Sequence, residues 1–189
     1  MPSAGGRVVI VTGGAGGIGR AMTGALLTAG HCVAAVDNNA AALDVLAERH
    51  AEPGNSRRLL TVVADIAEDA ACRGAVEATR ERFGRVEALV NNAGIGVSML
   101  RPDAEARLPG IEELTPEIWD RFFAVNVRGA MLMTQAAVPH MRACEFGRIV
   151  NNTTSYRTML RVCRTAPPNP HWKRCRRYGR KNSEEAASL

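Results

Sequence analysis

The feature that most constrains this chain is a glycine-rich turn placed between a strand and a helix. Residues 7–12 (RVVIVT) are a short β-branched run, the pattern of a buried strand. Residues 13–19 (GGAGGIG) follow, and 20–29 continue as an apolar-rich helix that Gly30 can stop. Glycines in such a turn let the backbone approach an anion closely. The helix that opens behind them offers free N–H groups and the positive end of its dipole. The spacing fits two patterns: Gly14, Gly16 and Gly19 match GxGxxG, while Thr12, Gly13, Gly17 and Gly19 match TGxxxGxG. The competing reading is a glycine-rich loop with no ligand.

The alternation then repeats. Strands are expected at 32–36, 59–64, 86–91 and 147–151, the first two ending at Asp37 and Asp65. Helices are expected at 40–50 and 67–83, with a Pro-Gly-Asn loop at 53–55 and Gly84 closing the second helix. A long loop at 95–113 holds Pro102, Pro109 and Gly110. A helix then starts with Thr115 as N-cap and Pro116 in its first turn, and runs to about residue 142. Strand–helix alternation of this kind implies an α/β chain whose parallel sheet carries helices on both faces.

A chain of 189 residues, 46% hydrophobic and 23% charged, suits one globular domain. No apolar run is long enough for a membrane span, and no signal peptide is apparent, so no membrane partner is expected. Five cysteines (Cys32, Cys72, Cys144, Cys163, Cys175) form no CxxC pair and read as free thiols in a reducing, cytoplasmic compartment.

Asp37 closes the second strand. A carboxylate there can accept hydrogen bonds from both ribose hydroxyls of an adenosine and would repel a 2′-phosphate, which favours NAD over NADP. The plainer alternative is a surface Asp capping the turn with Asn38 and Asn39.

Two further motifs matter. Asn91-Asn92-Ala93-Gly94 follows the fourth strand, and Asn126 lies inside the long helix. Together with TGxxxGxG and the Gly147–Asn151 lead-in, the chain from about Arg7 to about Tyr156 resembles the short-chain dehydrogenase/reductase family. The resemblance implies a Rossmann-type, doubly wound parallel sheet in three layers, occupying residues 1–160. It implies hydride transfer between NAD and a small alcohol or ketone, and a homo-oligomer, although self-association of this chain is left open.

It implies roles for particular residues. Thr12, Gly13, Gly17, Ile18 and Gly19 would form the pyrophosphate turn, and Asp37 would hold the ribose. Asp65 and Ile66 would flank the adenine, and Asn92, Ala93 and Gly94 would support the cofactor and the central strand. Asn126 would hold the water of a proton relay, although by itself it could simply be an Asn that kinks the helix near Gly129. Ser155, with Thr154 next in rank, would orient the substrate oxygen; otherwise both are ordinary polar residues at a strand end.

One family element is missing. The family uses a Tyr and, four residues on, a Lys whose ammonium lowers the phenol's pKa so that it can act as a base. Here Tyr156 is followed four later by Leu160, and Tyr178 by Asn182. The tail at 161–189 is also unlike the body. Residues 157–189 hold nine of the 24 Lys and Arg but only two of the 19 Asp and Glu. From Arg164 onward there is no helical or strand period, and the sheet is expected to be incomplete at its C-terminal edge, an aggregation liability.

A slip of reading frame near Val162 accounts for this. From the third base of the Cys163 codon, permitted codons read Pro-Tyr-Gly-Pro-Ser-Lys-Ser-Ala-Leu-Glu, which restores the missing pair. On that reading the chain is a disabled dehydrogenase. The competing readings are a non-catalytic NAD-binding module and, further behind, a nucleic-acid arm in which Trp172 and Tyr178 stack bases. A metal site is not expected: Cys163, His171 and Cys175 are irregularly spaced and lack a fourth ligand.

Overall fold

The computed structural model describes residues 6–96 and 111–153. The elements run β1 Val8–Thr12, α1 Gly17–Thr28, β2 Cys32–Asp37, α2 Ala40–Arg49, α3 Pro53–Ser56 and β3 Leu59–Val63. They continue with α4 Asp69–Phe83, β4 Ala88–Asn91, a 3-10 turn Ile111–Glu113, α5 Pro116–Phe123, a π-helical segment Ala124–Gly129, α6 Ala130–Ala143 and β5 Arg148–Asn151.

The five strands form one sheet in the order β3-β2-β1-β4-β5, and every pairing is parallel. β1 is the central strand, and it and its neighbour β2 are buried along almost their whole length. That is why they read as continuous apolar runs rather than as alternations. Ile10, Ala34, Val36 and Leu89 pack with Cys72, Val76, Met133 and Ala137 of α4 and α6 on one face. Val11, Val33 and Leu27 build a second cluster with α1.

Three local differences from the sequence reading have physical causes. α1 begins at Gly17, not at residue 20, so the last glycines of the turn are its first helical residues. The Pro-Gly-Asn loop is a single helical turn, with Pro53 at the N-terminal position that tolerates a missing N–H. The long helix expected at 115–142 is interrupted by the wider π-helical turn around Asn126.

At the N-terminal end of the sheet Glu87 is a buried carboxylate, 3% exposed. It accepts from Arg7 Nη1 at 2.7 Å and from Val8 N–H at 2.9 Å, and it forms an ion pair with Arg85 Nε at 2.9 Å. Cys32 and Cys72 are buried free thiols, and burial first, then nearby carboxylates, pushes Cys72 up to about 11. A thiol reagent is therefore expected to leave Cys72 unmodified in the folded protein and to reach it only after unfolding. Among the described residues, no helix is long and apolar enough to cross a membrane, and no cluster of His, Cys, Asp and Glu could hold a metal. The Cys163, His171 and Cys175 set lies outside the described residues.

Candidate functional site

β1 lies between β2 and β4, so the chain leaves β1 toward one side and later returns to pair on the other. At such a switch point the loops beyond the strand C-termini separate and leave a crevice. A cleft of about 350 Å³ lies there. Gly13, Gly17, Ile18 and Gly19 line it from the turn, Asp37 from β2, and Asp65 and Ile66 from the segment after β3. Asn92, Ala93 and Gly94 line it from the segment after β4.

The turn is built by close backbone approach. Gly13 has φ +63°, in the left-handed region, and a Cβ there would lie 2.9 Å from Ala93 Cα. A Cβ on Gly19 would lie 1.9 Å from the Gly13 carbonyl oxygen. Gly17 differs: a Cβ there meets nothing within 4 Å. No side chain caps the N-terminus of α1. Its first-turn N–H groups and dipole thus point toward an open concavity, which fits an anionic group such as a pyrophosphate.

The contrast at Gly17 yields a test. An Ala there removes a helix-destabilising glycine without a clash, so Gly17→Ala is expected to leave stability unchanged or raise it by up to about 1 kcal/mol. The same methyl group enters the space a dinucleotide would use, so NADH binding is expected to weaken at least about tenfold, about 1.4 kcal/mol. Calorimetric unfolding and an NADH titration separate the two effects. Equal binding by both proteins would count against a ligand on that face.

Thr12 is buried, 1% exposed, and lies beneath the cleft rather than on its surface. Its Oγ1 accepts from Asn92 N–H and Ala93 N–H, both at 3.0 Å, and donates to the Val90 carbonyl at 3.3 Å. Asn92 Nδ2 donates back to the Thr12 carbonyl at 3.0 Å. Thr12 therefore locks the segment after β4 onto β1.

Asp37 sits at the end of β2. Its two carboxylate oxygens accept from Ala15 N–H at 3.2 Å and from Asn39 N–H at 3.1 Å. Asn39 in turn caps α2. The turn-capping alternative thus describes part of what Asp37 does. A carboxylate offers about four acceptor positions, so these bonds leave capacity for a ligand.

Asp65 accepts from Ala67 N–H at 3.0 Å and from Arg121 Nη2 at 2.8 Å. Burial works against its charge, but the Ala67 N–H and the Arg121 guanidinium outweigh it and hold the carboxyl below the usual range. Asn126 lies in the π-helical segment. Its Oδ1 accepts from Ile95 N–H at 2.8 Å and its Nδ2 donates to the Ile95 carbonyl at 2.9 Å. This two-point clamp fixes the segment after Gly94. Thr154 and Ser155 lie outside the described residues.

Of the lining residues that the sequence reading did not assign, two hold hydrogen-bonded polar side chains, Arg121 and Asn152. Arg121 enters from α5 and is held by Asp65, 56 positions earlier. Nothing in its local sequence marks it among the many arginines. Asn152 lines the cleft beyond β5, and its Nδ2 donates to Asn92 Oδ1 at 3.0 Å. It stood beside the residues singled out, in a polar run that offered no way to rank them.

A doubly wound parallel sheet with this turn and this crevice defines a Rossmann-type nucleotide-binding domain. The model of the short chain dehydrogenase family matches residues 7–166, and the chain belongs to that family. D-threitol dehydrogenase of Mycolicibacterium smegmatis is 36% identical over 154 residues, 82% of this chain and 55% of that protein. 2-(R)-hydroxypropyl-CoM dehydrogenase of Xanthobacter autotrophicus is 40% identical over 146 residues, 77% of this chain and 55% of the relative. Among solved structures, 3-ketoacyl-(acyl-carrier-protein) reductase from Brucella melitensis, complexed with NADH, superposes with a TM-score of 0.66 at 34% identity. That match covers 77% of this chain and 56% of the other. The chain thus spans about half the length of the curated relatives it matches.

Proposed function

We propose that this chain is the NAD-binding part of a dehydrogenase that moves hydride between NAD and a small alcohol or its ketone, in the cytoplasm. The observation that carries the preference for NAD is the charge pattern of the cleft. Asp37 stands at the end of β2, where an adenosine ribose would lie. The single cation among the described lining residues, Arg121, is engaged by Asp65. Among the described lining residues, a 2′-phosphate would meet a carboxylate and no free guanidinium or ammonium.

When bound, NAD supplies the hydride acceptor. The chain's own residues bind and orient. The α1 N-terminus and Gly13–Gly19 turn would hold the pyrophosphate, Asp37 the ribose, and Asp65 with Ile66 the adenine. Asn92, Ala93 and Gly94 would support the cofactor and the central strand, Asn126 would hold the water of a proton relay, and Ser155 or Thr154 would orient the substrate oxygen. Because neither Tyr156 nor Tyr178 has a Lys four residues on, this chain itself is proposed to bind without turning over. The same absence favours the second reading, a non-catalytic NAD-binding module.

Asp37→Ala tests the assignment. Loss of charge-assisted hydrogen bonds costs about 1.5–3 kcal/mol, so NADH affinity is expected to fall about 10- to 100-fold while NADPH affinity rises or holds. Parallel fluorescence titrations check this. A fall of equal size for both nucleotides would sink the ribose assignment.

Self-association is proposed through an exposed apolar row. Trp119, Phe123, Val127 and Met131 recur every four residues across α5, the π-helical segment and α6, and each is about half exposed. Val127→Glu is expected to convert a dimer to a monomer in sedimentation analysis. An unchanged mass would reject this surface.

A further inference from the structure

β5 is out of keeping with the rest of the sheet. All four of its residues are exposed, whereas β1 is buried throughout. Ile149 is 38% exposed and Val150 54% exposed. Successive residues of a strand point to opposite faces, so among the described residues nothing covers either face of β5. Strands of parallel sheets are ordinarily covered on both. Next to β5, Asn91 Oδ1 is buried with no hydrogen-bond partner among the described residues. The sheet therefore calls for an apolar helix soon after β5. The sequence from Arg164 onward offers none: it is basic, contains Pro167, Pro168 and Pro170, and has no apolar period.

We propose that the codons for residues 163–189 are read out of register, and that the same nucleotides, read from the third base of the Cys163 codon, encode the helix that covers β5. Its start would carry the Tyr and Lys that the family places four residues apart. The proposal rests on family membership and not on the nucleotide preference proposed above.

Part of the neighbouring reading follows from the amino acids whatever codons the gene uses. His171 followed by Trp172 gives Leu, and Trp172 followed by Lys173 gives Glu, with no freedom. With the usual CGN codons, Arg174 followed by Cys175 gives only Leu, Met or Val, as any Arg codon does there. Arg177 followed by Tyr178 gives only Leu, Ile or Val. At Ser183 the reading does depend on codon choice: a TCN codon gives Leu or Phe after Asn182, and an AGY codon gives Gln or a stop. These apolar residues fall at 171, 174, 177 and 182, close to a helical face, in a stretch where the encoded residues are mostly polar and basic.

Two positions are free. The third base of the Arg164 codon chooses among Tyr, His, Asn and Asp if Thr165 follows. The third base of the Pro168 codon chooses among Lys, Gln, Glu and a stop before Asn169. The spacing of these two choices is the four residues that the pair requires.

Nucleotide sequencing of the gene and its transcript across codons 161–189 decides the coding claim. The expected result is T in the third position of the Arg164 codon, A in that of Pro168, and a neighbouring frame open throughout. Any other base at either position, or a stop in that frame, overturns it. The packing claim is read by amide hydrogen exchange. The chain as it stands is compared with one in which two bases are removed after the Val162 codon. Exchange at Ile149 and Val150 is expected to slow at least about tenfold in the second, and equal rates would overturn the assignment of the helix to β5. Neither readout involves a nucleotide ligand, so failure here and failure of the NAD reading are distinguishable.

Discussion

Gly19→Ala is expected to cost the fold about 3 kcal/mol or more, a fall in Tm of about 6–12 °C for a chain of this size. The new Cβ would sit 1.9 Å from the Gly13 carbonyl oxygen and 2.7 Å from Asn92 Nδ2. The first obstacle is backbone in a turn whose own φ is +63°. It cannot yield without dragging the end of β1 away from the segment after β4, to which Thr12 and Asn92 fasten it. Natural domains are stable by only about 5–15 kcal/mol, so a loss of this size leaves a substantially unfolded population at growth temperature. Thermal unfolding followed by circular dichroism checks it. An unshifted midpoint would mean that the turn relaxes freely, and that the motif's last glycine serves the ligand alone. Gly17→Ala, with open space around it, provides the contrast: stability kept and binding lost.

Glu87→Ala is the second large effect, at the opposite end of the sheet from the cleft. Removal of the carboxylate orphans the Val8 N–H and leaves Arg7 and Arg85 without their shared counter-charge. Both arginines are nearly half exposed and regain water, which reduces the loss below that of a fully buried pair. The expected destabilisation is about 2–3 kcal/mol. A pH dependence follows. Burial disfavours the Glu87 carboxylate, but Arg7, the Val8 N–H and Arg85 outweigh it and hold its pKa below the ordinary 4.5. A carboxyl depressed on folding stabilises above its unfolded value and loses that contribution as pH falls through its folded one. Stability should therefore drop as pH falls below about 4.5, and Glu87→Gln should flatten that drop. Denaturant unfolding between pH 3 and pH 7 measures both slopes. Parallel slopes for the two proteins would remove Glu87 from the account.

The parts of this architecture that could be read in the sequence are those set by local rules. The run at 7–12 and the glycines behind it announced β1, the turn and α1, because burial on both faces and close backbone approach leave a compositional mark. Asp37 was legible as the last residue of its strand on the crevice side, whereas Asp65, read as the end of the third strand, lies two residues beyond β3. Features that depend on tertiary placement were not. α1 starts at Gly17 because the turn supplies the geometry that propensity alone denies glycine. Thr12 matched the motif, but only the fold shows that its hydroxyl holds Asn92 and Ala93 from beneath. Arg121 reaches Asp65 across 56 residues, a pairing without a local signature. The π-helical turn at Asn126 answers to the two-point bond with Ile95, again a long-range contact.

The measurement that bears most directly on the central claim is a calorimetric titration of this chain with NADH and, in parallel, NADPH. The predicted result is saturable one-to-one binding of NADH, and NADPH binding at least about tenfold weaker, a difference of about 1.4 kcal/mol. The absence of binding by either nucleotide, or equal affinity for both, would contradict it.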